Sequence, residues 1–442
     1  MSDFVVENRI WNRAEVLPRK ALRALQLRRL RRQLEQAARV PFYRERMAKA
    51  KLTPQSLKSL DDLRRLPFTV KDDLRRNYPL GLCAVPRAEL ARIHGSSGTT
   101  GSSTFVGYTR KDLATWAELC ARFLTSGGLR PEHTVQIAFG YGLFTGGFGL
   151  HYGVERVGAA LIPAAAGNTA RQIRLLRDLE VDVLVCTPSY ALVIAEGLAE
   201  AGTGPHALHL RYGHLGAEPW TEDMRVKIEQ QLGILAFNNY GLSEVIGPGV
   251  SGECPLRNGM HIQEDHFIVE CVNPETLEPV AEGEVGELVF TSLTKEACPV
   301  LRYRTRDLAS LNSEPCPCGR TGVRMSRVTG RTDDMLIIRG VNVFPLQVEE
   351  ALLGVAGTAP HYMIIVDRPG NLDEATVQVE IQPGSFSDEM RAMQALRERI
   401  DRALQANTGI RFHVELVRPQ SLERHLGKAV HVRDLRRDKG LL

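Results

Sequence analysis

Val135-Gln136-Ile137-Ala138-Phe139, Ala160-Leu161-Ile162-Pro163, Val181-Asp182-Val183-Leu184-Val185-Cys186 and Ile234-Leu235-Ala236-Phe237 are four short apolar runs of strand length. Between them stand segments of helical period, such as Thr169 to Leu179 and Thr221 to Leu232. This alternation, which spans about 110 to 250, predicts an α/β domain built on a doubly wound sheet. Ligands of such sheets bind beyond the carboxyl ends of the strands.

Upstream lies His94-Gly95-Ser96-Ser97-Gly98-Thr99-Thr100-Gly101-Ser102-Ser103-Thr104, glycines and hydroxyls without a bulky side chain. Glycine lets backbone approach a ligand closely, and successive N–H groups in such a turn make an anion nest. The loop is expected to hold phosphate. No Lys follows its last glycine as a Walker loop requires, so the cation must come from elsewhere. Residues 19 to 39 read as one helix, with Leu22, Leu25, Leu30 and Leu34 on its apolar stripe. Its arginines form a basic face, solvated or open to an anionic partner.

Downstream, from 266 to 310, His266 to Val272 and Gly286 to Phe290 read as antiparallel strands of a small β subdomain, about 251–329. After Thr329-Gly330-Arg331-Thr332-Asp333-Asp334 the pattern becomes β, helix, β, β, helix, β. Strands are expected at Met335 to Arg339, Met363 to Val366, Ala375 to Ile381 and Phe412 to Leu416, and helices at Pro345 to Leu353 and Ser387 to Gln405. The expected division is a large N-terminal domain, 1–332, and a mobile α+β C-terminal domain, 333–442, with the hinge between them.

The composition excludes several classes. The 442 residues are 43% hydrophobic and 24% charged, which suits a folded globular chain. A net charge of +4 does not argue for nucleic acid. No apolar run is long enough to span a membrane. Eight cysteines in a chain of this length do not make a disulfide framework, and without an export signal the expected compartment is the reducing cytoplasm.

Three further patterns bear on chemistry. Tyr240-Gly241-Leu242-Ser243-Glu244 follows an expected strand, so Glu244 would stand at its carboxyl end, where it could hold Mg²⁺ or simply form a surface salt bridge. Asp307 in Tyr303-Arg304-Thr305-Arg306-Asp307 offers a carboxylate of the kind that accepts both ribose hydroxyls. Lys428 in Leu426-Gly427-Lys428-Ala429 lies in a polar, basic loop and taken alone is one exposed lysine among many. Separately, Cys316 and Cys318, with Cys254 and His261, supply three thiols and an imidazole suited to structural Zn²⁺; free buried thiols are the alternative.

Together the nucleotide patterns resemble the adenylate-forming superfamily of acyl-CoA synthetases, adenylation domains and luciferases. The chain is most similar to its phenylacetate–CoA ligase branch, from Pro41-Phe42-Tyr43-Arg44 to Lys428, through Pro67-Phe68-Thr69-Val70-Lys71, Gly140-Tyr141-Gly142-Leu143-Phe144, Gly216-Ala217-Glu218-Pro219-Trp220 and Arg339-Gly340-Val341-Asn342-Val343. The resemblance implies that Ser96, Ser97, Gly98, Thr99 and Thr100 grip the ATP phosphates and that Glu244 binds Mg²⁺. It places adenine between Gly216-Ala217-Glu218 and Asn238-Asn239-Tyr240, ribose on Asp307, and Arg331 near the nucleotide. Many relatives carry Asp where Asn238 stands. Asp333 takes the hinge position, and Lys428 that of a moving lysine that contacts the carboxylate and α-phosphate. Phe139, Phe144, Gly216 and Ala217 would line an aryl slot, with Tyr common among relatives at position 139.

The implied reaction joins an aryl acid (phenylacetate, benzoate or anthranilate) to AMP at the expense of ATP, then to coenzyme A. A carrier-protein phosphopantetheine is the alternative acceptor, and the resemblance allows a homodimer. A silent ATP-binding protein would have lost Glu244 or Lys428, and both stand. A nucleic-acid zinc module would need a basic, aromatic surface that the chain does not offer.

Overall fold

The computed structural model describes residues 6–95, 104–205, 207–369, 372–382, 390–424 and 429–438. Its centre is a nine-stranded sheet. Five strands are parallel, in the order Leu235–Leu242, Tyr212–Gly216, Val183–Cys186, Thr134–Ile137, Ala160–Ile162. Alternate side chains of these strands enter different cores, because successive Cβ atoms point to opposite faces. Val183, Val185 and Phe237 join the core that includes Trp116 and Leu150, from helices Arg110–Ser126 and Gly146–Val157. Leu184, Cys186 and Ala236 join the core of helices Thr169–Asp178, Pro188–Glu200 and Glu222–Leu232. Helices thus cover both faces, as the doubly wound reading requires.

Local chemistry explains the helix ends. Thr221 accepts the N–H of Met224 to open Glu222–Leu232, Glu222 and Asp223 sit in its first turn, and Gly233 ends it at φ 68°. In helix Arg19–Ala37, Leu22, Leu30 and Leu34 are buried, and Arg23, Arg28 and Arg32 are exposed. Two glutamines share the buried face because each finds a carbonyl: Gln26 donates to Glu264 at 2.9 Å and Gln33 to Lys295 at 2.8 Å.

The β-rich region is shared between two sheets. Strands Gly247–Glu253, Met260–Ile262, Arg324–Met325 and Leu311–Asn312 extend the large sheet beyond its last parallel strand, each antiparallel to the one before it. Only Phe267–Val272, Gly286–Ser292, Tyr303–Ala309 and Gly330–Arg331 form a sheet of their own. Strand Leu235–Leu242 runs past its apolar start, and its last four residues, Asn239 to Leu242, pair with Gly247–Glu253.

After 335 the chain forms a hairpin, Leu336–Ile338 with Val341–Val343, and a four-stranded sheet ordered His413–Val417, Glu374–Ile381, Thr358–Asp367, Val432–Asp434. Helices Pro345–Leu353 and Met390–Thr408 pack on it around Ile364, Val377, Leu396 and Ile400. Val341–Val343 and Val432–Asp434 were not expected from the sequence. No helix among the described residues is long and apolar enough to cross a membrane.

Candidate active site

The expected phosphate loop, Ser96, Ser97, Gly98, Thr99 and Thr100, and the expected lysine, Lys428, lie outside the described residues. The strands flanking the loop are described. Arg92–Gly95 pairs antiparallel with Phe105–Tyr108, with Gly95 opposite Phe105. Their base is fixed on the 140s loop: Gly95 N–H donates to the Leu143 carbonyl at 2.9 Å, and His94 Nδ1 lies 3.0 Å from the same oxygen. His94 is buried, edge-on to Tyr108 and Trp116.

Tyr240 and Gly241 were expected beyond the end of a strand; they lie within Leu235–Leu242. The ladder shifts register between Tyr240 and Gly241, forming a bulge. A side chain at Gly241 would run into the carbonyl oxygen of Gly247. Ser243 and Glu244 then turn away from the strand, and both are buried. Ser243 Oγ bonds Thr145 Oγ1 at 2.9 Å, and the Glu244 carbonyl accepts Lys295 Nζ at 2.8 Å. Lys295 is itself buried, which lowers its amine from the ordinary value. Nothing in Thr294-Lys295-Glu296 marks this lysine in the sequence, because its role is set by a chain turn and not by a motif.

Asp307 and Arg331 stand opposite one another on paired strands. Tyr240 OH donates to Asp307 Oδ2 at 2.6 Å, and Arg331 Nη1 donates to Oδ1 at 2.8 Å. Arg331 also forks onto Asp333, at 2.9 and 3.0 Å. Burial, then the Asp307 charge, raises the Tyr240 phenol well above its ordinary value, so it stays a hydrogen-bond donor. Three expected nucleotide residues and the expected hinge residue therefore form one connected network.

The expected adenine residues sit where two adjacent parallel strands stop pairing, at Gly216 and Asn239. Gly216 ends Tyr212–Gly216, and a Cβ there would lie 2.6 Å from the Asn239 carbonyl. Asn239 Nδ2 donates to the Leu215 carbonyl at 2.9 Å, and the Asn238 N–H donates to Glu253 at 2.7 Å. Glu253 is buried against Arg225, which forks onto it at 2.7 and 2.8 Å. Ala217 holds φ at 72°, a left-handed backbone that costs an alanine roughly 1–2 kcal/mol. Glu218 accepts the N–H of Ser189 at 2.7 Å and of Ala429 at 3.0 Å. It thereby connects the expected adenine residues to the residue that follows Lys428.

Of the expected aryl slot, Phe139 and Gly216 are buried, whereas Phe144 is 39% exposed beside the still more exposed Leu143. Exposed large apolar side chains next to a strand end are what an acyl group could cover.

Away from this corner, Cys254, His261, Cys316 and Cys318 are all buried, with their ligand atoms within 4.8 Å of one another. Cys254 and Cys316 sulfurs are 3.8 Å apart, and Cys318 Sγ is 3.4 Å from His261 Nε2. Two sulfurs at about 2.3 Å from a tetrahedral metal stand roughly 3.8 Å apart, so the donor set fits zinc. Four protein donors leave no open position for catalysis.

Comparison with known proteins agrees with this geometry. The AMP-binding enzyme family model matches residues 24–294, and the AMP-binding enzyme C-terminal domain model matches 340–436. The phenylacetate–coenzyme A ligase of Thermus thermophilus is 51% identical over 96% of this chain and 98% of that protein. The chain belongs to the phenylacetate–CoA ligase family of AMP-binding enzymes. The Escherichia coli phenylacetate–coenzyme A ligase is 48% identical over 94% of this chain and 95% of its own length. A 2-hydroxyisobutyryl-CoA ligase, 29% identical, superposes with a TM-score of 0.90 in its postadenylation state, over 97% of this chain and 93% of that one. The same ligase in its thioesterification state, at 30% identity with the same shares covered, superposes at 0.71. None of these matches supports a carrier-protein thiol as acceptor.

Proposed function

We propose that this family member adenylates phenylacetate or a close aryl acid with ATP and transfers the acyl group to coenzyme A. The observation that carries the site assignment is the convergence of Tyr240, Asp307 and Arg331 in one hydrogen-bonded network, on the strand that leads into Glu244.

The chemistry follows from charge. A carboxylate is a poor acyl donor because its leaving group would be oxide. Attack of its oxygen on the α-phosphorus of ATP forms the acyl adenylate and expels pyrophosphate. Two anions must meet, so the site has to cancel charge where it develops. Asp307 accepts the ribose hydroxyls and fixes the nucleotide. Gly216 and Ala217 present bare backbone to adenine, and the hydroxyls of Ser96 to Thr100 hold phosphate. Lys428 bridges the carboxylate and the α-phosphate; a positioned donor of this kind is worth about 2–4 kcal/mol of barrier. Glu244, buried and fixed through its own carbonyl, is the residue to hold Mg²⁺, which when bound neutralises phosphate charge. In the second step the thiolate of coenzyme A attacks the adenylate carbonyl and AMP leaves. Phe139 and Phe144 give the ring apolar faces in both steps.

The C-terminal part lies in the adenylate-forming arrangement, a reading supported by the higher TM-score with the postadenylation state. The Cys254, His261, Cys316 and Cys318 cluster holds structural zinc, which ties strand Met260–Ile262 to the turn at 316–318.

A screen of pyrophosphate release with phenylacetate, benzoate, anthranilate and short alkyl acids, with and without coenzyme A, tests the main reading. Phenylacetate is expected to give AMP and phenylacetyl-CoA at the highest kcat/KM. Release from no carboxylic acid, or preference for an alkyl acid, overturns it.

A further inference from the structure

The segment around Lys428 is anchored on both sides to the N-terminal part of the molecule. Downstream, the Ala429 N–H donates to Glu218. Upstream, Arg424 donates through Nε to Glu196 Oε2 at 3.4 Å. Glu196 sits on helix Pro188–Glu200, and its Oε1 lies 2.6 Å from His361 Nε2 on strand Thr358–Asp367. Arg424 is not a free arm that happens to touch Glu196. Its two terminal nitrogens fork onto Glu380, both at 2.8 Å, and Glu380 is 1% exposed. Glu380 also accepts the N–H groups of Gln420 and Leu422. The C-terminal sheet therefore shapes 420–424 internally, and Glu196 ties that preshaped unit to the N-terminal part. Burial works to raise the Glu196 carboxyl, but the His361 hydrogen bond and the His361 and Arg424 charges hold it below its ordinary value, so it is a carboxylate.

The two states of the related ligase differ in overall arrangement, and this molecule matches one of them far better. A bond between Glu196 and the C-terminal part belongs to the matched arrangement. We propose that Glu196 is a positioning residue for the first half-reaction: through His361 and Arg424 it latches the C-terminal part in the adenylate-forming arrangement and must let go before thioester formation. This rests on the reading of the chain as a two-step ligase. A half-buried latch suits the task. It is strong enough to bias an equilibrium between arrangements and weak enough to break in each turnover.

The test separates the half-reactions. Glu196→Gln keeps the shape and removes the charge. Acyl-adenylate formation, read by ATP–pyrophosphate exchange, is expected to fall roughly three- to tenfold, the net worth of one typical intramolecular hydrogen bond. Thioester formation from supplied phenylacetyl-AMP and coenzyme A is expected to stay level or rise. His361→Ala should give the same split in smaller degree, since Arg424 remains. An equal loss in both half-reactions, or no change in either, at unchanged melting temperature, overturns the latch. Amide hydrogen exchange without substrate gives an answer that does not depend on activity. Glu196→Gln should raise exchange in 418–424, and unchanged exchange there overturns the latch. An inactive wild-type chain with faster exchange in the variant would instead refute the ligase reading and leave the latch standing.

Discussion

Asp307 has both carboxylate oxygens already bonded, one to Tyr240 and one to Arg331. That arrangement points the group before any nucleotide arrives. Removing it by Asp307→Ala takes away a ribose acceptor and leaves Arg331 with Asp333 and Asp334. KM for ATP is expected to rise at least about tenfold, the effect of about 1.5–3 kcal/mol for a hydrogen bond to a charged group. Initial rates at varied ATP check this. A rise in KM for the acid, with ATP binding untouched, would contradict the ribose assignment. A second buried carboxyl makes a statement about pH. Glu349 is buried on helix Pro345–Leu353, and its Oε1 has no hydrogen-bond partner among the described residues. Burial first, then the charge of Glu218 across the interface, pushes its carboxyl up to about 8; Glu350 adds to this, while the Tyr362 hydroxyl, 3.4 Å away, and Arg327 oppose it. A folded-state value above the unfolded one means that the stabilising state is the protonated one. Stability from this group is full below the unfolded value near 4.5 and is lost as pH rises toward 8. Thermal melts of Glu349→Gln against wild type should therefore coincide near pH 4.5, with the variant gaining an advantage up to pH 8. A constant difference across that range would remove the argument.

Strand Leu235–Leu242 shows at the element scale what a sequence reveals and what it withholds. Its first half was legible, because Leu235, Ala236 and Phe237 are apolar and β-prone. Its second half, Asn238-Asn239-Tyr240-Gly241, looks like a loop, since polar side chains in a buried strand are unexpected unless something satisfies them. Here distant groups do so for two of them, since Asn239 bonds Leu215 and Asp307 takes the Tyr240 hydroxyl, while Glu253 holds the Asn238 backbone N–H. The two-residue strands Leu311–Asn312, Arg324–Met325 and Gly330–Arg331 are too short to carry any period. The cysteine cluster was legible by residue type, while its closeness needed the fold, because its members are spread over more than sixty positions. The bulge gives a sharp contrast. Gly241→Ala meets the Gly247 backbone, which cannot step aside as a side chain could. It should cost at least about 2 kcal/mol and lower the melting temperature. Gly142→Ala, with open space around it, should stay within about 0.5 kcal/mol. The cysteine turn answers to a different test. Metal analysis of protein purified without chelator should find about one zinc per chain. Cys316→Ser should lose the metal and melt earlier, yet keep the kcat of wild type at low temperature. Absence of zinc from the wild type, or loss of kcat in a folded variant, would remove the structural role.

At the scale of the whole molecule, one site has to serve two reactions with opposite needs. Adenylate formation brings two anions together and needs an extra cation. Thioester formation needs that space open for a thiolate and gains nothing from a lysine on the α-phosphate. A rigid molecule would compromise both steps. A C-terminal part that changes its docking can serve each in turn, and the contacts Glu218–Ala429 and Glu196–Arg424 mark where this molecule is docked. Lys428 falls between those anchors in the chain. Lys428→Ala should therefore reduce ATP–pyrophosphate exchange by at least about 30-fold, the lower end of the 2–4 kcal/mol that a preorganised charge supplies. Thioester formation from supplied phenylacetyl-AMP should stay within about threefold of wild type, the small shift allowed a residue that is withdrawn in that step. The asymmetry is the decisive quantity. Had Lys428 served only to hold the fold, both rates would fall together with the melting temperature. Had it served coenzyme A, the second rate would fall and the first would not. Only a lysine that enters for the first step and leaves for the second gives a large loss in one assay and almost none in the other.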